Sequence, residues 1–189
     1  MRPQAHRSIG PREITYSSSM TPDLPEVWLR GRVDGYAPLL MPIVHALLQV
    51  REDIDRLVQR VPAEHVWLRP GGAASLGFHI RHTGGALDRL FTYARGDVLS
   101  PEQKAALRVE EEPGEPALSL KQLADETNAV IDRAFEQLRS TQPESLLDER
   151  RVGRAGLPSN VLGLLFHAAE HSTRHMGQAI TTARILDTR

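Results

Sequence analysis

The chain has no cysteine at all. That excludes disulfides, thiolate nucleophiles and every cysteine-based zinc site. It is compatible with a reducing compartment, and a cytoplasmic location is expected. An excess of one charge is also missing: 23 Lys+Arg against 24 Asp+Glu gives −1. This argues against a general nucleic-acid binder, and short basic clusters such as Arg150-Arg151 and Arg154 do not change that. Long hydrophobic runs are lacking too. The stretch Val161–Ala169 is broken by Gly163 and His167 and falls far short of the ~20 residues of a membrane span. No apolar leader opens the chain, so neither a secretory signal nor a membrane partner is expected. Convincing apolar/polar alternation bounded by turn signals is absent as well, which predicts no strands.

What is present fits one domain, because 189 residues compares with a prior of about 150 per domain. Residues 1–32 carry Pro3, Pro11, Pro22, Pro25, Gly10, Gly31 and the Ser17-Ser18-Ser19 run. They read as an irregular N-terminal segment, ordered only where Val27, Trp28 and Leu29 pack. From residue 33 to 189 four helical stretches follow. The first runs from Tyr36 to Val61 on the apolar set Leu39, Leu40, Ile43, Val44, Leu47, Leu48, Ile54, Leu57 and Val58. Pro42 is expected to kink or delay it, and Pro62 to end it. The second starts at Ala74 or Ser75 and closes at Gly96. The third spans about Ser119 to Ser140, and the fourth starts after Pro158-Ser159-Asn160 and runs to about Leu186. The segment Pro101–Pro116, with Glu110-Glu111-Glu112, reads as a solvated acidic loop. The expected fold is therefore an all-α four-helix bundle behind an irregular tail.

Histidine is the outlier, with eight residues. His167, His171 and His175 recur at i, i+4 and i+8, and at about 100° per residue they share one narrow stripe. Leu164, Ala168, Gln178 and Thr182 lie on it too, beside the apolar stripe of the same helix. The second helix repeats the layout. His79 and His82 share a stripe with Ser75, Phe78, Gly85, Ala86, Arg89 and Tyr93. If both apolar stripes enter one core, the histidine stripes face each other across the bundle, where bundles place metal sites. Neutral imidazole suits zinc, nickel, iron and copper. Two histidines one turn apart on a helix hold one ion, and a third from another helix completes a three-histidine set. A ligand imidazole needs a partner on its other nitrogen. Glu170, Asp88 and Thr83 are the candidates by proximity in sequence. The bland alternative is a hydrogen-bonded structural histidine. It is preferred for His45 and His65, while His6 belongs to the tail.

The two histidine segments resemble the DinB/YfiT-like superfamily of metal-dependent enzymes. The fourth-helix match runs from Leu164 to Gln178 and includes Glu170-His171, then three residues, then His175-Met176-Gly177-Gln178. The looser second-helix match is Ser75-Leu76-Gly77-Phe78-His79-Ile80-Arg81-His82, followed by Asp88-Arg89. The resemblance covers the chain from about Tyr36 onward. It implies a four-helix bundle with a three-histidine metal centre, often in a homodimer. Carried over, His171 and His175 match the two ligands of the last helix. His82 matches the first ligand, with His79 as the alternative. His167 has no ligand counterpart and reads as site-lining, as does Gln178; helical phase also puts Arg89 and Tyr93 on the site stripe, where they would hold an anionic substrate or polarise a leaving group.

The resemblance points to an enzyme using a divalent metal, zinc or nickel first and iron or manganese next. The metal would activate water or a low-molecular-weight thiol cosubstrate for a hydrolase or thiol-transferase reaction. Two other classes stand beside it. One is a non-catalytic, stress-related binding protein for metal or small molecules, with His79 or His167 closing the coordination. The other is a helical interaction protein with no metal.

Overall fold

Prolines and small polar caps mark where the helices begin. The computed structural model describes residues 24–187. His6 and the serine run lie outside them. Pro38 opens a 3₁₀ turn, Pro38–Leu40, that leads directly into helix α1, Met41–Arg60. Pro42 sits in the first turn of α1, where its missing N–H costs nothing, so it delays the helix without kinking it. Ser75 caps helix α2, Leu76–Arg95, by accepting from the Phe78 N–H at 3.1 Å. Gly96 closes α2 in the left-handed region at φ 89°. Helix α4, Leu120–Ser140, starts in a capping box built by Ser119 and Gln122. Helix α5, Val161–Asp187, starts where Asn160 Oδ1 accepts from the Gly163 N–H at 2.7 Å.

Two elements depart from the expectation. The acidic segment contains a short helix α3, Pro101–Arg108, with Ser100 and Gln103 forming a capping box and Pro101 in the first turn. Ser100-Pro101-Glu102-Gln103 has the sequence pattern of a capping box, a start signal that the loop expectation did not use. A hairpin of strands β1, Glu149–Val152, and β2, Leu157–Asn160, precedes α5. The strands are four residues long and largely exposed, so neither face carries an apolar signal. Gly153 and Gly156, both at positive φ, turn the chain between them. In the N-terminal segment Val27 alone of its trio is buried; Trp28 and Leu29 stand in water. The Arg30 guanidinium clasps the Glu52 carboxylate and fastens this segment to α1.

The four long helices close one core. The α2 helix packs most extensively on α5 and then on α4, while α1 bridges α5 and α4 from the other side. Leu47, Ile54, Leu76, Ile80, Leu87, Leu123, Ile131, Leu138, Leu165 and Met176 are sealed from water. Close approach of α2 and α4 depends on Gly84, where an added Cβ would meet Thr127 Oγ1 at 2.9 Å and Thr127 Cα at 3.3 Å. Thr127 in turn donates to the Ile80 carbonyl at 3.0 Å. This packing sets α2 antiparallel to α5 and leaves their histidine stripes facing each other.

Candidate metal centre

The pairing across α2 and α5 is direct. His82 Nε2 lies 3.0 Å from His171 Nε2, and His79 Nδ1 lies 3.1 Å from His175 Nδ1. Residues ascending α2 therefore meet residues descending α5, one turn per pair. His82, His171 and His175 each offer a nitrogen such that all three lie within 4.8 Å of one another. Three nitrogens around a tetrahedral ion at the usual Zn–N length of ~2.0–2.1 Å would be about 3.4 Å apart, so small rotations close the set. No carboxylate belongs to this group among the described residues.

The surroundings of His79, His171 and His175 favour the neutral form that ligates metal. Burial, then the imidazoles of His82, His171 and His79, push His175 down to about 4. Burial and His82 lower His79. Burial, then His82 and His167, lower His171. Phe78 lies over the cluster. Its ring stacks on His82 with centroids 5.1 Å apart and meets His79 and His175 edge-on at 5.4 and 6.1 Å. His171 Nδ1 is buried with no hydrogen-bond partner. Such an orphan is costly in an apolar core; the one hydrogen-bonding contact of the ring is through Nε2, toward His82. The donor set and its spacing fit a divalent metal.

The partners of these rings differ from those expected. Glu170 binds Arg174 at 2.5 to 3.0 Å and lies 3.3 Å from His167 Nδ1. Asp88 accepts from Gln103 Nε2 at 2.6 Å, and Thr83 donates to the His79 carbonyl at 2.8 Å. None of the three bonds a ring nitrogen of His82, His171 or His175. Glu110 does: its Oε2 accepts from His82 Nδ1 at 2.6 Å and its Oε1 from Arg89 Nη1 at 2.6 Å. The acidic run is thus solvated only in part, since Glu110 is 5% exposed. Burial works to raise its pKa, and the bonds from His82 and Arg89 outweigh this and hold the carboxyl below its usual range.

The remaining candidates are spread around this centre. His167 is half exposed, with its ring 5.5 Å from that of His171. Arg89 is largely buried and engaged by Glu110, so its guanidinium is not a free anion holder. Tyr93 is half-buried against the core, further along α2. Gln178 is exposed and lines a surface recess with His79, Ala74 and Arg174. His45 Nε2 lies 2.9 Å from the Gly31 carbonyl, a structural contact. His65 Nδ1 is buried without a hydrogen bond, which does not match the satisfied histidine expected there. Among the described residues no helix is long and apolar enough to cross a membrane.

A comparison with curated proteins gives no match. The family model of the DinB superfamily matches residues 46–179, a span that holds α2, most of α1, α3, α4, the hairpin and the three clustered histidines. That span is well over half of the chain, and the protein belongs to the DinB superfamily.

Proposed function

We propose that the protein is a metal-dependent enzyme in which His82, His171 and His175 hold one divalent ion, zinc or nickel before iron or manganese. The observation that carries this reading is the convergence of three imidazoles from two antiparallel helices within 4.8 Å, with no acid among them. When bound, the ion supplies a Lewis acid that lowers the pKa of a thiol or a water. The chain has no cysteine, so the thiol of a transferase reaction arrives as a small cosubstrate; the hydrolase reading needs only water. The protein's own residues set the conditions. Burial keeps His171 and His175 unprotonated at neutral pH. Phe78 covers one flank and excludes water from it. His167, open to solvent beside His171, lines the site. Three protein ligands leave a coordination position for an incoming group.

The second reading is a closed, non-catalytic metal site with His79 as fourth ligand, favoured by its nitrogen 3.1 Å from His175 Nδ1. Cobalt substitution separates the two. The enzyme reading expects the visible spectrum of the cobalt-loaded protein to change when a small thiol is added. A spectrum indifferent to thiol in the wild type that becomes thiol-sensitive in His79→Ala would favour the closed site and contradict the thiol-transferase reading.

A further inference from the structure

Glu110-Glu111-Glu112 follows α3 as a run of identical residues, and the fold treats them differently. Glu111 and Glu112 face water, while Glu110 is buried. A carboxylate taken out of water is costly unless it is paired. Glu110 is paired twice, by His82 Nδ1 and by Arg89 Nη1, each at 2.6 Å. The loop that carries it is held on both sides. Arg81 Nη1 donates to the carbonyls of Val109 at 2.7 Å and Glu112 at 2.9 Å. Room for the carboxylate comes from Gly85, because an added Cβ there would collide with Glu110 and stand 2.8 Å from Arg89 Nη1. Helix α2 therefore offers this one carboxylate a backbone clamp, an imidazole, a gap and a guanidinium at positions 81, 82, 85 and 89.

An imidazole whose Nδ1 donates to a carboxylate keeps its proton there and presents the Nε2 lone pair on the opposite side. The opposite side of His82 is the cluster, with His171 Nε2 at 3.0 Å. We infer that Glu110 is the positioning residue of the metal centre. With its charge balanced by Arg89, it fixes the tautomer and ring orientation of His82 so that Nε2 faces His171 and His175. The affinity consequence rests on the three-histidine reading above; the tautomer consequence does not.

The test has two arms on the full chain. In the metal-free protein at mildly alkaline pH, long-range proton–nitrogen spectra of the histidine rings should show His82 as a single Nδ1–H tautomer. Glu110→Ala should turn it into a mixture. In the second arm zinc affinity is measured by competition with a chromophoric chelator. Glu110→Ala should weaken zinc by about 10–100-fold, the usual cost of losing such a partner. Glu110→Gln, whose amide oxygen still accepts, should weaken it less, and exposed Glu111→Gln should leave it unchanged. Because Glu110→Ala strands a buried arginine, Gly85→Ala is the second variant. It displaces the carboxylate while keeping both charges, and it should move both readouts the same way. An unchanged His82 tautomer in Glu110→Ala overturns the inference, even if affinity falls, since the carboxylate would then be merely structural. A shifted tautomer in a protein that binds no zinc would sink the metal reading and leave the positioning of His82 standing.

Discussion

His79 and His82 lie one turn apart on α2 and meet different surroundings. His82 reaches Glu110 on one side and His171 on the other, while His79 is buried and reaches His175 alone among the hydrogen-bonding groups. The two positions are therefore predicted to respond differently. His82→Ala should abolish tight zinc binding, and His79→Ala should keep one zinc per chain with affinity lowered by about tenfold or less. Zinc titration of both variants checks this; the opposite order would make His79 the ligand. At this scale the histidines were legible because helical phase alone sets which side chains share a stripe. Glu110 was not. Nothing local separates it from Glu111 and Glu112, and what selects it is the tertiary grip of Arg81 on the carbonyls either side.

Among the elements, α5 carries both the ligand stripe and much of the core, so its packing face is intolerant of loss. Leu165 is fully sealed, and Leu165→Ala should cost about 2–5 kcal/mol in chemical unfolding. Two helical glycines make a paired prediction. Replacing glycine by alanine in a helix gains about 0.5–1 kcal/mol from the unfolded chain and the helix propensity. At Gly177 an added Cβ meets nothing within 4 Å, so Gly177→Ala should stabilise the protein by that amount. At Gly84 the Thr127 backbone stands 3.3 Å from the added atom and cannot rotate away. Overpacking of about 1–3 kcal/mol then outweighs the gain, and Gly84→Ala should destabilise. Equal shifts in the two variants would contradict the close α2–α4 contact. The long helices were readable from their apolar period and their caps. The hairpin was not, because four-residue strands with exposed faces carry no alternation, and only Gly153 and Gly156 marked the turn. Helix α3 was announced by its capping box, which the loop expectation did not use.

For the whole molecule, an ion held by His82, His171 and His175 would tie α2 to α5. A ligand that binds only the folded state must stabilise it, by about 2.7 kcal/mol at a hundredfold excess over Kd. For a domain of this size that corresponds to a Tm rise of about 5–10 °C. Zinc or nickel should produce such a rise in the wild type and none in a His171→Ala His175→Ala variant. The helical interaction protein without a metal predicts no rise in either. The bundle itself was legible as a whole, since four apolar stripes of similar length have few ways to bury one another. The order of helices around the core was not, because it depends on contacts such as Gly84 against Thr127 that no single stretch of sequence reveals.

The most direct test is the metal content of protein purified without a histidine tag, measured by mass spectrometry of the elements for wild type and for His171→Ala His175→Ala. The three-imidazole account predicts close to one equivalent of a divalent transition metal per chain in the wild type, and its loss in the double variant. Equal metal content in the two proteins would contradict it.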